Sequence, residues 1–123
     1  MRTVLFLLLS LVLAPASAEW VKIAETDRLS LYLDADSLHK DGHRRKVWEI
    51  HTFKQRLRDG EWSRRELQEY DCRNERFRSV SFYTYAEPMA GGTALHAHRA
   101  PAPWAYVPYR TPHESVLRLV CGQ

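Results

Sequence analysis

Apolar and polar residues alternate clearly at Leu29-Ser30-Leu31-Tyr32-Leu33, the period of a strand with one buried face. Trp20 to Ala24 is a short apolar run before it, and Glu25-Thr26-Asp27 between the two is turn chemistry, so the pair reads as a first hairpin. Asp34, Asp36 and Ser37 are N-cap types ahead of a single helical turn ending at Leu38. Asp41-Gly42 then launches a long strand from His43 through Leu57. Trp48, Ile50 and Thr52 fall on one of its faces, with Val47, Glu49, His51 and Phe53 on the other.

Asp59-Gly60 is a strong hairpin signal, and Trp62 to Cys72 forms the returning strand. Arg73-Asn74-Glu75 predicts a second tight turn with Asn74 in the left-handed region. Phe77 to Tyr85, rich in Val, Phe, Tyr and Thr, completes a three-stranded meander. From Ala86 to Pro103 the pattern breaks among Pro88, Gly91, Gly92, Pro101 and Pro103, which predicts a long loop. Trp104 to Val107 restores a short strand. Thr111-Pro112-His113-Glu114 has a cap, a proline at the first helical position and a glutamate three residues after the cap. The helix runs from Pro112 to about Cys121, with Val116, Leu117, Val120 and Cys121 on one stripe. The elements predict an α+β fold, a single antiparallel sheet of about six strands packed on one C-terminal α-helix.

The 123 residues begin with a different pattern. Met1-Arg2, an apolar run from Val4 to Ala14 and the small residues Ala16-Ser17-Ala18 predict a secretory signal over residues 1–18, cleaved after Ala18. The apolar run is too short for a bilayer, which needs about 20 residues. No cysteine closes the leader and no second apolar run follows. The expectation is a mature domain over residues 19–123, without a lipid anchor or an integral membrane segment, in the periplasm, secreted or at the cell surface. In an oxidising compartment Cys72 and Cys121, the only two cysteines, are expected to pair. The formal charge of +3 falls by one when Arg2 leaves with the leader. That excludes nucleic acid as a default partner. With 45% hydrophobic and 27% charged residues the chain is a folded domain and not a disordered one.

The likeness to a known family runs along the whole mature chain. Trp20-Val21-Lys22, Tyr32-Leu33-Asp34 with Ser37-Leu38, Gly42 followed by Val47-Trp48, and Tyr70-Asp71-Cys72 carry its first part. Arg76 and Arg78 before Tyr83 and Tyr85, then Trp104 to Pro108 and the final Cys121, carry the rest. In this order they resemble the surface-adhesin protein E family of small exported bacterial proteins. The resemblance implies an antiparallel sheet of about six strands curling round a C-terminal helix tethered by one disulfide. It also implies adhesion, the binding of host matrix and serum proteins. The leader departs from the family's lipoprotein pattern, since it lacks the cysteine that lipidation requires.

Candidate chemistry is sparse. No G-x-S-x-G elbow and no cysteine outside the pair is present. Asp34 and Asp36 are read as caps in preference to an acid–base pair, so no enzyme and no cofactor is expected. His96-Ala97-His98 is the plausible metal pair, both imidazoles on one side of an extended segment, with His113 as a third ligand. Arg44, Arg45, Lys46, Arg64 and Arg65 flank the Asp59-Gly60 hairpin, and Arg99 lies in the long loop. Together they are the candidate partner-binding residues, for a glycosaminoglycan, lipid A phosphate or acidic protein. The leading expectation is a non-catalytic protein that binds host matrix or envelope macromolecules. The alternatives are a soluble periplasmic accessory binding a small ligand or metal through His96 and His98, and a homodimer formed through an exposed strand edge.

Overall fold

The structure, a computed structural model, describes Thr3 and residues 19–122. Apart from Thr3, the expected signal segment and its cleavage site lie outside the described residues. Eight strands form one antiparallel sheet: β1 (Trp20–Glu25), β2 (Leu29–Asp34), β3 (His39–Asp41), β4 (Arg44–Phe53), β5 (Ser63–Asp71), β6 (Arg76–Glu87), β7 (Gly91–His98) and β8 (Ala105–Tyr106). The order across the sheet is β1-β2-β4-β5-β6-β7, and β3 and β8 are short additions beside β4 and β6. Among the described residues one α-helix, α1 (Pro112–Cys121), follows the last strand. The expected α+β architecture is therefore present, with six strands on the main path and two extra pieces.

β2 covers Glu49 to Phe53 of β4, while β3 covers Arg44 to Lys46. The 3₁₀ turn Ala35–Ser37 separates them, and the Asp34 side chain accepts from the Asp36 N–H, as a cap does. The helix begins as its sequence dictates, with Thr111 Oγ1 accepting from the Glu114 N–H at 3.4 Å and Pro112 in the first turn. Leu31, Leu33, Val47 and Tyr70 from the sheet meet Val116, Leu117 and Val120 from α1, and these seven are the buried core. Each fully buried aliphatic side chain contributes roughly 1.5–3 kcal/mol. Cys72, just past β5, bonds Cys121, the last residue of α1, with Cα atoms 5.5 Å apart.

Three local expectations are corrected. The segment from Ala86 to Pro103 is not one long loop, because β7 pairs with the end of β6 over Gly91–His98. Its turn uses Met89 and Ala90, both at φ 57°, and then Gly92 at φ 71°. Buried Ser63 anchors that turn by donating to the Glu87 carbonyl and accepting from the Ala90 N–H. The strand carries little apolar alternation because it lies at the sheet edge and is largely exposed. The second correction is at the Arg73-Asn74-Glu75 turn, where Glu75 takes the positive φ of 51°. Asn74 instead spends its amide on the Asp71 carboxylate. Finally, the hairpin expected at Asp59-Gly60 is present, since β4 pairs with β5, but the strands end earlier and the connection is longer than expected. β4 stops at Phe53, β5 starts at Ser63, and Gly60 at φ 89° closes a smaller turn onto the Leu57 carbonyl.

Candidate functional site

Strand alternation separates the predicted basic residues onto two faces. Arg45 is opposite Tyr70 and Arg64 opposite His51, on the inner face that α1 covers. Arg44, Lys46 and Arg65 point to the outer face. Arg45 donates from Nε to the Val120 carbonyl at 3.1 Å and from a terminal nitrogen to the Gly42 and Arg44 carbonyls. Arg64 forms a bidentate pair with Glu61 at 2.8 and 3.2 Å and lies over the Phe82 ring at 4.5 Å. Arg99 is exposed just beyond β7. The six residues thus do not form one continuous patch.

The outer face gathers Arg44 and Arg65 from that set with Arg76 and Arg78, which the basic clusters did not include. Arg78, Arg76 and Arg44 stand 4.4, 5.3 and 5.6 Å from the centre of the Trp104 ring. Arg65 lies 4.7 Å over Trp48 and 5.2 Å over Tyr83. Cations over aromatic faces attract by roughly 0.5–1 kcal/mol each when exposed. Two buried carboxylates fix the guanidiniums from below: Glu69 accepts from Arg78 at 2.8 Å and Asp71 from Arg76 at 2.9 Å. Burial opposes ionisation of Asp71, but hydrogen bonds from Asn74, Arg76 and the Arg73 backbone outweigh it and hold the carboxyl well below its usual range. In the sequence, Arg76 and Arg78 stood out only through the family likeness. Their i, i+2 spacing puts both on one strand face, but nothing in the sequence brings Trp104 across them.

On the inner face, beyond the apolar core, lies a buried polar cluster. Glu49 and His51 project from β4 at i, i+2, and the His51 Nε2 is 2.8 Å from Glu49 Oε1. His113, in the first turn of α1, places Nδ1 3.9 Å from the same oxygen. The Tyr70 hydroxyl donates to Glu49 Oε2 and is 3.3 Å from His113 Nδ1. Glu49 is fully buried, and Glu66 directly opposite it on β5 is 6% exposed.

Burial opposes a proton on His51, but the hydrogen bond to Glu49 and the charges of Glu49 and Glu66 raise its pKa above the ordinary value. His113 moves the other way, lowered by burial more than the Glu49 charge raises it. Burial pushes the Tyr70 hydroxyl well up, and Glu49 pushes it further, so it remains a donor. The Glu66 carboxyl is raised, again chiefly by burial. The two imidazoles are therefore driven apart, His51 toward the protonated form and His113 toward the neutral one.

His113 is therefore separated from the histidines with which the sequence grouped it. His96 and His98 lie exposed on β7, and His98 stacks on Phe82 with centroids 5.1 Å apart. The Glu49-x-His51 spacing was visible on one strand face, but the fold alone brings His113 over it.

The half-buried arginine–aromatic outer face and the disulfide-pinned terminal helix define a small antiparallel-sheet protein of the α+β class. A family model described as surface-adhesin protein E matches residues 20–122. The chain belongs to that family. Solved structures of Haemophilus influenzae protein E share the fold. Its crystal form II is 13% identical, covering 84% of this chain and 87% of that one, at a TM-score of 0.67. The selenomethionine form is 14% identical over 84% and 85%, at 0.64. Protein E from the non-typeable bacterium is 13% identical over 88% and 80%, at 0.57. No curated protein sequence matches. Among the described residues, no helix is long and apolar enough to cross a membrane.

Proposed function

We propose that this protein is an exported, non-catalytic adhesin-like protein that acts by binding other macromolecules, host matrix proteins or components of the bacterial envelope. The observation that carries the reading is the ring of Arg44, Arg76 and Arg78 around Trp104. Arginine and tryptophan are the side chains that dominate binding surfaces, because both offer broad contact and donors already oriented. Guanidiniums fixed by Glu69 and Asp71 lose little freedom when an acidic partner arrives. Family membership supports the same reading. Pairing of two copies along β7, which borders β6 alone on the main path, is a further proposed contact.

The test is a binding panel of matrix proteins and envelope fractions against the wild type, Trp104→Ala and Arg78→Ala. Wild-type binding should be saturable, weaken as salt rises, and fall in both variants. Absence of binding across the panel, or variants that bind as well as the wild type, would refute this assignment. The accessory-protein alternative, through His96 and His98, instead requires binding that disappears in a His96→Ala/His98→Ala variant.

A further inference from the structure

We propose that Glu49, His51 and His113 form a binding site for one divalent first-row transition metal ion, zinc in class, on the inner face of the sheet. The Glu49 carboxylate oxygen, His51 Nε2 and His113 Nδ1 all lie within 4.8 Å of one another. Ligands about 2.0–2.2 Å from a tetrahedral ion stand about 3.3 Å apart. The His51–Glu49 separation of 2.8 Å and the His113–Glu49 separation of 3.9 Å straddle that figure. The two imidazole nitrogens lie within 4.8 Å of each other, so binding requires them to close by up to about 1.5 Å around the ion.

Local structure explains the convergence. A strand puts residues i and i+2 on one side, which supplies two donors from β4. The capped, proline-started first turn of α1 supplies the third. Two imidazoles and one carboxylate suit zinc, cobalt, nickel or copper, whereas magnesium and calcium take oxygen donors.

Charge points the same way. Glu49, Glu61 and Glu66 are buried together on this face, and like charges directly opposite each other in a sheet destabilise it. Arg64 is committed to Glu61 by two hydrogen bonds and reaches Glu66 only at 3.4 Å. Glu66 thus shares Arg64 with Glu61, and Glu49 has only imidazoles beside it, so a dication would add positive charge where three carboxylates meet one guanidinium. Supporting donors are present: Tyr70 orients Glu49, and Gln68 donates to Glu66 at 2.6 Å. The His113 side chain is 22% exposed, which gives an ion a way in. Three protein ligands leave a fourth position for water or Glu66.

The experiment is titration of the chelator-stripped, disulfide-intact protein with Co²⁺, followed by visible absorption, and with Zn²⁺ by calorimetry. One ion per chain should bind. Tyr70→Phe should weaken affinity about 10–100-fold. His113→Gln, a partly exposed position that leaves the core intact, should weaken it at least as much without changing the circular dichroism. His96→Ala/His98→Ala and Trp104→Ala should bind metal as the wild type does, which keeps this result separate from that of the outer face. Absence of saturable binding overturns the site. So does wild-type affinity in His113→Gln, or loss of binding only in the His96/His98 variant.

Discussion

The Arg45 guanidinium hydrogen-bonds the carbonyl of Val120, 75 residues further along the chain, at 3.1 Å. A strand side chain thereby satisfies one of the carbonyls that the end of α1 leaves unpaired, and places positive charge at the negative end of the helix. Arg45 therefore belongs to the architecture. Arg45→Met should destabilise the domain by about 1–2 kcal/mol. Arg44→Met, on the outer face, should cost less. Denaturant unfolding of the two variants compares them directly.

The Cys72–Cys121 bond joins residues separated by 49 positions. On the chain-entropy model such a closure stabilises by roughly 4 kcal/mol. The Cys72→Ser/Cys121→Ser variant should lose about that much, seen as a lower denaturation midpoint. The wild type under reductant should match it. Equal stability of oxidised and reduced protein would contradict the estimate.

Acid should weaken the fold through Asp71. Its folded carboxyl sits below its ordinary pKa, so the native state binds fewer protons than the unfolded chain near that value. The contribution is complete above about pH 4, where the unfolded carboxyl is already ionised, and is lost as pH falls toward the depressed folded value. Asp71→Asn should be less stable than the wild type at pH 7 and show a flatter decline below pH 4. Unfolding midpoints measured from pH 7 down to pH 2 test both parts.

Gly92 holds φ at 71°, and a Cβ there would stand 2.8 Å from the Glu87 Cγ. Gly92→Ala should cost about 1–2 kcal/mol from backbone conformation alone, before the contact is counted. Hydrogen exchange should quicken in β7 first, since that strand pairs with β6 through this turn. Uniform loss of protection across the sheet would show that the turn is not a local unit.

The meander, the terminal helix and the cysteine pair were legible because each has a simple cause in the sequence: alternation, a capped start, and an even count of cysteines. β7 was hidden because an exposed edge strand of small residues has neither apolar period nor bulk, and its turn at Met89-Ala90 uses residues that seldom take positive φ. The basic residues could be named but not sorted. Whether Arg64 faces Glu61 or solvent depends on register, and register depends on bulges such as the one beside Leu67 and Gln68. The meeting of His113 with Glu49 depends on where a helix more than 60 residues away comes to rest, and no local pattern encodes that.

Three of the seven buried core residues, Val116, Leu117 and Val120, belong to the final helix. A nascent chain that has not yet delivered them has a sheet whose inner surface is bare, and it cannot settle. Its two sulfurs meet only once the last segment has docked. Oxidation then serves as a timestamp on maturation, since a chain stalled before that docking would still carry both thiols.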